Sequence, residues 1–283
     1  MFEMFSLSFM LHAFIATVIM GTLLSYLGVH VIGRGIVFVD LALGQISSLG
    51  VAFAQFMHTG EEWIPIAFTL LGAVLLSLIH ITDRRLKLEA IIGIIYVVAA
   101  AVTVLVISKT PHGEADIQEV LFGAVLAVNY ADLVQLGVIF GIIGVLHVVF
   151  HKPILRLTER MESGKPADFT LKERAWNFFF YLSIGLAIVY AVRIGGVMPV
   201  FAFLVIPSVS AVTIARKGWV VIVLAILISV LASYGGLLFS YTWDFPAGSS
   251  LVAVLGGLYV VALFVRTARG RIMGGSRRPA SSA

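Results

Sequence analysis

The sequence predicts an all-α polytopic membrane protein with about eight or nine transmembrane helices, and three observations support this prediction. Of the 283 residues, 60% are hydrophobic and 12% are charged, whereas soluble domains are about half apolar and roughly one quarter charged. Long apolar runs recur along the chain, and a spanning helix needs only about 20 such residues. The 27 glycines suit close helix–helix packing in lipid. This composition excludes a soluble enzyme, a nucleic-acid-binding domain and a disordered chain.

Nine apolar runs predict membrane-spanning helices. They cover residues 8–29, 35–57, 64–81, 90–108, 133–151, 176–192, 195–215, 218–240 and 250–265. A shorter apolar piece at 120–130 is too brief to cross, and we expect a re-entrant or interfacial helix there, or part of a neighbouring helix. Residues 1–270 are predicted to form one transmembrane domain, and residues 271–283 a disordered basic tail.

The basic residues orient the chain in the membrane. Alternate loops and the tail hold 17 of the 19 lysines and arginines: Arg34, Arg84, Arg85, Lys87, Lys152, Arg156, Arg160, Lys165, Lys172, Arg174, Arg216, Lys217, Arg266, Arg269, Arg271, Arg277 and Arg278. Positively charged loops stay in the cytoplasm. The N-terminus is therefore expected outside and the C-terminus inside the cytoplasm, which nine crossings satisfy.

The second run contains four polar residues in an otherwise apolar helix: Asp40, Gln45, Ser47 and Ser48. A carboxylate at mid-depth costs about 2.5–3.5 kcal/mol on insertion scales. At about 1.5 Å per residue, Asp40 lies in the inner half of the span and Gln45 near its middle. At about 100° per residue, Ser47 points nearly as Asp40 does, whereas Gln45 points roughly 140° away. Two roles for Asp40 stay open, which are to line an ion pathway or to cap or hydrogen-bond a neighbouring helix.

Histidines and acids also occur together in two outer loops: His58, Glu61 and Glu62 in one, and His112, Glu114 and Asp116 in the other. Imidazole and carboxylate groups suit Zn²⁺ and, with more oxygen ligands, Mn²⁺. The pattern is compatible with weak metal gathering at the outer mouth, but it is more typical of a plain solvated loop. The other five histidines lie in or at the ends of spans, where we expect packing or interface roles: His12, His30, His80, His147 and His151.

Several motifs of enzymes are absent from the sequence. With no cysteine, disulfides, zinc–thiolate sites and thiol catalysis are excluded. There is no Walker A motif, no His-Glu-x-x-His and no Gly-x-Ser-x-Gly. We therefore expect a non-enzymatic chain without a bound cofactor, in which any ATP would be handled by another subunit.

Four stretches resemble, in order and spacing, the integral membrane permease family of bacterial metal ABC importers, the zinc, manganese and iron class. They are RGIVFVDLALGQISSLGVAFA; LEAIIGIIYVVAAAVTVLVIS, with Glu89 at the acidic position; HGEADIQEVLFGAVLAV, with Leu121-Phe122-Gly123; and a C-terminal third that includes GGVMPVFAFLVIPSVSAVTIAR and ASYGGLLFSYTWDFPAGSSLVAVLGGLYVVAL. The resemblance covers residues 8–266. Pro199 and Pro207 in the last stretch predict an interrupted helix.

The resemblance implies a homodimeric permease in the bacterial inner membrane that imports Zn, Mn or Fe as a divalent ion. Its implied partners are two cytoplasmic ATP-binding subunits, which bind the ATP, and an extracytoplasmic metal-binding protein; no nucleic acid is involved. The longest inner loop, HKPILRLTERMESGKPADFTLKERAW, is the implied coupling segment, and a short helix within it would present Arg156, Glu159, Arg160, Lys165, Asp168 and Lys172 to the ATPase. A solvated linker is the alternative.

The second helix departs from the family pattern Gly-Asp-Ala-Leu-Ser-His. Aligned without a gap on Gly50, Leu41 takes the Asp position and Gln45 the His position, while Asp40 falls one residue earlier. An amide oxygen is a weak substitute for imidazole toward a borderline-soft ion. The alternatives are a permease of the same architecture for a metal chelate or a cobalamin-like ligand, or an ion-coupled secondary transporter.

Overall fold

A computed structural model describes residues 3–79, 88–109, 121–163 and 169–275, and these residues form helices and no strand. The ten α-helices are α1 (Ser8–Gly33), α2 (Val39–Met57), α3 (Trp63–Leu78), α4 (Leu88–Ile107), α5 (Tyr130–Val149), α6 (His151–Glu162), α7 (Leu171–Gly195), α8 (Val197–Ile214), α9 (Gly218–Trp243) and α10 (Ala247–Gly275). Two short 3₁₀ helices cover Glu3–Ser6 and Val125–Ala127.

The prediction of an all-α polytopic membrane protein is confirmed. Among the described residues, eight helices are long and apolar enough to cross a membrane, namely α1, α2, α4, α5 and α7 to α10. Helix α3 is apolar but has 16 residues, and α6 is short and amphipathic. Each of the nine predicted runs therefore coincides with one helix, and α10 continues to Gly275, past the predicted domain end at residue 270. Residues 276–283 of the predicted tail lie outside the described ranges.

Helix α1 occupies the centre of the bundle, where it packs against α8 and α9. At Gly28, an added Cβ would overlap the carbonyl oxygen of Leu204 in α8, so the two backbones approach this closely only because the residue is glycine. One turn earlier on α1, the carbonyl of Ser25 accepts a hydrogen bond of 2.8 Å from Ser208 Oγ of α8. The α1–α8 contact is thus both tight and hydrogen-bonded.

Helix α2 packs against α3, α4 and α7. A Cβ added at Gly50 would lie 2.7 Å from Pro65 Cα, and one added at Gly72 would lie 2.7 Å from Ile46 Cδ1. Because Gly50 meets the start of α3 and Ile46 meets its later part, α3 runs antiparallel to α2. It returns to the level of the first turns of α2, where Asp40 is found.

The outward faces of the bundle are strongly apolar. Leu71, Leu105, Val148, Leu231 and Phe264 are each more than half exposed in the isolated chain. Water-soluble monomers rarely expose such large apolar patches, whereas lipid hydrocarbon solvates them. The exposed belt and the buried polar residues described below are the arrangement expected of a membrane protein.

Two further predictions concern the short apolar piece at 120–130 and the interruption of α8 by proline. The described part of the 120–130 piece contains the helical residues Leu121 and Phe122, the 3₁₀ helix Val125–Ala127 and the first residue of α5. Its Gly123, at φ +72°, lies in backbone contact with Gly195 and Gly196 at the α7–α8 turn. The predicted interruption of α8 is wrong, because the helix is continuous through Pro207 and Pro199 lies in the first turn, where a missing N–H is tolerated.

Helix α6 lies at the end of the bundle where α1 ends and α7 begins. It buries Ile154, Leu157 and Thr158 and exposes Arg156 and Glu159 on its other face. The charge pattern assigned the α1–α2 loop and this segment to one side of the membrane, and the structure places them at the same end of the bundle. The helix expected within the long inner loop is therefore present.

Candidate functional site

The four polar residues predicted on α2 all lie in the core of the bundle. Asp40 is 3% exposed, Gln45 5%, Ser47 0% and Ser48 1%. Asp40, Ser47 and Ser48 lie on a side of α2 that faces inward: Gly44, one turn after Asp40, lies against valine side chains of α7 and α8. The carboxylate therefore sits among helices and does not face lipid.

Asp40 has no counter-ion among the described residues. Neither carboxylate oxygen has a side-chain hydrogen-bond partner within the described part of the chain. The residue lies in the first turn of α2, where the free backbone N–H groups favour an anion by about 0.3–1 kcal/mol, or about 2 in a buried geometry. Burying an ionised carboxylate costs several kcal/mol. A cation bound beside Asp40 would offset the part of this burial cost that the helix N-terminus does not.

The hydroxyl groups of Ser47 and Ser48 differ in their hydrogen bonding. Ser48 Oγ donates to the carbonyl of Gly44 at 3.0 Å, so its hydroxyl is occupied by its own helix. Ser47 Oγ is buried and has no partner among the residues that the structure covers. Helical periodicity puts Ser47 on the side of Asp40 and turns Gln45 away by about 140°. Asp40 and Ser47 therefore share one side of α2, about 10 Å apart along the helix axis, and Gln45 lies on another side.

The described ranges hold no preformed cluster of three or more histidine, aspartate or glutamate side chains that could bind a metal. His58, Glu61 and Glu62 are exposed around the α2–α3 turn. His112, Glu114 and Asp116 lie outside the described residues. The predicted metal gathering requires only a local concentration of cations, not a coordination site, and it stays a prediction.

The implied coupling segment presents a charged surface at the α6 end of the bundle. Arg156 and Glu159 are exposed on α6, and Lys172 is exposed in the first turn of α7. Lys165 and Asp168 lie outside the described residues. Arg156 and Glu159 do not pack on the bundle, because the opposite face of α6 is the one that does.

Unlike Arg156 and Glu159, Arg160 contacts a residue of another helix. Its guanidinium forms an ion pair with Glu173 in the first turn of α7. Glu173 also accepts hydrogen bonds of 2.8 Å from the backbone N–H and the hydroxyl of Thr170, which caps α7. Arg160 therefore braces α6 against the start of α7.

Sequence reasoning missed a buried joint around Arg34, the residue that follows α1. Arg34 is 5% exposed. Its Nε donates to Thr158 Oγ1 of α6, and its Nη1 donates to Asn177 Oδ1 of α7, each at 3.1 Å. Its guanidinium carbon lies 3.7 Å from the centre of the Phe180 ring of α7. We call these four residues the Arg34 joint.

The joint is a cationic site. Burial lowers the pKa of the Arg34 guanidinium to about 10, so the group stays charged at neutral pH. Hydrogen bonds to a charged group contribute about 1.5–3 kcal/mol each, and a desolvated cation–π contact about 2. The sequence pattern does not identify Arg34, because an arginine at the end of an apolar run is ordinarily a solvated loop charge.

Two histidines lie beside the joint. His30 Nδ1 is 3.0 Å from Thr158 Oγ1. Because the Thr158 hydroxyl donates its proton to the Ile154 carbonyl at 3.0 Å, it accepts from His30, which places the imidazole proton on Nδ1. His147 is fully buried, and neither of its ring nitrogens has a partner in the described portion of the chain. The neighbouring guanidinium makes this corner unfavourable for a metal cation.

Comparison with known proteins identifies the family. The model of the ABC 3 transport family matches residues 6–266. The chain belongs to this family. The match includes α1 to α9, most of α10 and the segments that carry Asp40 and the Arg34 joint, so the family resemblance drawn from the sequence is confirmed.

Curated ABC 3 relatives are similar over almost their whole length. A zinc uptake system membrane protein, ZnuB of Haemophilus influenzae, is 26% identical over 256 residues, covering 90% of this chain and 96% of the relative. A manganese transport system membrane protein, MntC of Halalkalibacterium halodurans, is 26% identical over 280 residues, covering 95% and 91%.

The fold also has a solved counterpart. PsaBC from Streptococcus pneumoniae, in complex with a Fab, superposes with a TM-score of 0.77 at 23% identity over 92% of each chain. A metal-chelate type ABC transporter in an inward-facing conformation gives 0.69 at 16% identity, over 90% of this chain and 85% of that one. These likenesses establish a shared helical architecture.

Proposed function

We propose that this ABC 3 family member is the permease subunit of an importer that moves a divalent transition metal ion, zinc, manganese or iron, into the cytoplasm. Family membership over nearly the whole chain supports the transport role. The names of the zinc and manganese relatives support the cargo class. The chain itself carries no ATPase motif, so a partner subunit hydrolyses the ATP.

The observation that carries the cargo assignment is the buried Asp40. A carboxylate in the core of a membrane bundle marks an ion pathway more often than a structural contact, and no described residue satisfies it. Ser47 on the same side adds a neutral oxygen to the same pathway, about 10 Å further along the helix. Carboxylate and hydroxyl oxygens suit Mn²⁺, whereas Zn²⁺ and Fe²⁺ would need further donors. A second copy of the chain would supply a second Asp40.

The proposed assembly is a homodimer in the bacterial inner membrane, with two ATP-binding subunits and an extracytoplasmic metal-binding protein. The charged face of α6 and the start of α7 would receive the ATP-binding subunit. The loop with His58, Glu61 and Glu62, and the loop with His112, Glu114 and Asp116, would gather metal at the opposite end, where an acidic field concentrates cations.

The decisive experiment measures total cell metal by mass spectrometry in three strains. One lacks this gene, one is complemented with the wild type and one with Asp40→Ala. We expect one transition metal to fall in the deletion strain and only the wild type to restore it. Restoration by Asp40→Ala would exclude the pathway role of Asp40. If no metal changes while uptake of a supplied metal chelate does, the chelate alternative replaces the ion.

A further inference from the structure

The Arg34 joint connects three elements that otherwise make few contacts with one another. Helix α6 has 12 residues and buries only Ile154, Leu157 and Thr158. Arg34 reaches α6 through Thr158 and α7 through Asn177 and Phe180. We infer that Arg34 is a positioning residue, which fixes α6 to α1 and α7 and so transmits movement of α6 to the segment that carries Asp40. The transmission part of this inference rests on the proposed function.

The contacts of Arg34 require an arginine. Two nitrogens of one planar group donate to different helices while its face covers an aromatic ring. A lysine ammonium is a compact point charge and does not reproduce this fork or the stacked face. The joint therefore gives a conservative variant, Arg34→Lys, that keeps the charge and removes the geometry.

Close packing at Gly33 keeps α6 against the end of α1. A Cβ added to Gly33 would lie 2.7 Å from the Thr158 methyl group. Immediately after Arg34, Gly35 adopts φ +67° and turns the chain, and Ile36 and Val39 are buried. Only five residues separate Arg34 from Asp40, so a displacement of the joint is passed to the start of α2 through a short, packed connection.

The groups around the Arg34 joint do not favour a bound metal ion. The titratable side chains that face Arg34 within the described residues are His30 of α1, His147 of α5, Tyr26 and Tyr181, and none of them is a carboxylate. A metal ion is thereby disfavoured at the joint, and the residues act on transport only through the position of α6.

The first test measures the position of α6 in the purified permease without ATPase or metal. Because the chain has no cysteine, Ile154→Cys, at 0% exposed, gives a single thiol under α6. We expect a hydrophilic maleimide to label it slowly in the wild-type and Arg266→Lys backgrounds and at least about fivefold faster with Arg34→Lys, because the helix opens locally. Leu157→Cys serves as a second reporter. Equal labelling in all backgrounds would overturn the inference.

The second test measures coupling in the complex isolated with its native ATP-binding subunit. We expect Arg34→Lys to lower uptake of ⁶⁵Zn²⁺, ⁵⁴Mn²⁺ or ⁵⁵Fe²⁺ per ATP hydrolysed by at least about tenfold. Thr158→Val, which keeps the shape and removes the acceptor, should do the same, and the double variant should be no worse than either. A wild-type ratio in both single variants would refute the coupling role. If the wild type itself transports none of these ions, the proposed function fails, while the labelling rates still decide whether Arg34 positions α6.

Discussion

At the scale of single residues, the buried side chains of Arg34 and Asp40 lie near the same end of the bundle but differ in their hydrogen-bond partners. Arg34 donates two hydrogen bonds and stacks on a ring, whereas the oxygens of Asp40 find no partner among described residues. Arg34 Nη2 has no partner among the described residues, but the two bonds of its other nitrogens connect neighbouring helices. A charge left without protein partners lowers stability and is retained where a transported ion or a moving part uses it.

The variant Asp40→Asn tests this difference. It keeps the side-chain shape and removes the charge, so metal uptake should fall by at least about tenfold. The melting temperature of the purified permease should be equal to or above that of the wild type, because an unpaired buried charge is lost. Uptake of radioactive metal by cells and heating of the detergent-solubilised protein measure the two effects.

Asp244→Asn is the matched control, since the residue is exposed and its left-handed conformation, at φ 56°, suits asparagine. It should change neither uptake nor melting. A lower melting temperature for Asp40→Asn would show instead that the carboxylate is a structural cap.

The sequence predicted Asp40 but not Arg34, and the reason is physical. A carboxylate at the sixth position of an apolar run is anomalous by composition alone. Arg34 follows the end of such a run, where arginine is common, and its partners Thr158 and Asn177 are more than 120 residues away. Only the tertiary arrangement of α1, α6 and α7 makes it a buried residue, so no local pattern could identify it.

At the scale of helices, glycines decide how closely the elements pack. Gly28 allows the backbone of α1 to meet the Leu204 carbonyl of α8, which apolar periodicity cannot anticipate because every face of α1 is apolar. Other glycines have no such role. A Cβ added at Gly141 of α5 would meet nothing within 4 Å.

Gly28→Ala and Gly141→Ala form a matched pair. We expect Gly28→Ala to lower stability by about 1–3 kcal/mol or more, because the backbones of α1 and α8 must separate. Gly141→Ala should be neutral or stabilise by up to about 1 kcal/mol through helix propensity. The fraction of monodisperse protein after heating, measured by size-exclusion chromatography in detergent, compares them. Equal melting of both variants would contradict the close-contact interpretation.

Helix α6 has two faces with separable roles. The exposed side chains Arg156 and Glu159 do not pack on the bundle, so Arg156→Ala with Glu159→Ala should leave stability within about 0.5 kcal/mol of the wild type. Retention of the ATP-binding subunit during purification should fall by at least about fivefold, because interface side chains are lost. Unchanged retention would show that the ATPase docks elsewhere. Arg266→Ala, on the exposed end of α10, is the control and should retain the subunit.

At the scale of the whole molecule, the sequence predicted the number of spans better than their ends. The run 35–57 begins four residues before α2, and 176–192 falls short of α7 at both ends. Helix ends depend on caps and on tertiary contacts, such as the Thr170–Glu173 capping box that begins α7, and hydropathy does not report them. The Asp40 helix was thus predictable, whereas the joint that links it to α6 was not.

Whether α3 crosses the membrane determines the side of every later loop. Its 16 residues span about 24 Å, less than the hydrocarbon core of about 30 Å. However, α3 runs antiparallel to α2 and reaches the level of Ile46 and Leu43 by Gly72, with six more helical residues to follow. If α2 crosses, α3 crosses back, and nine crossings place the α2–α3 turn outside and the α6–α7 loop inside.

Single cysteines in the cysteine-free chain test this topology directly. Glu61→Cys lies in the α2–α3 turn and Lys172→Cys at the start of α7, and both side chains are exposed. In intact spheroplasts, an impermeant maleimide should label Glu61→Cys, and it should label Lys172→Cys only after the membrane is permeabilised. Labelling of both from outside would mean that α3 does not cross. The six basic residues at 152–174 would then lie outside, against the charge rule, and α6 could not meet a cytoplasmic ATPase.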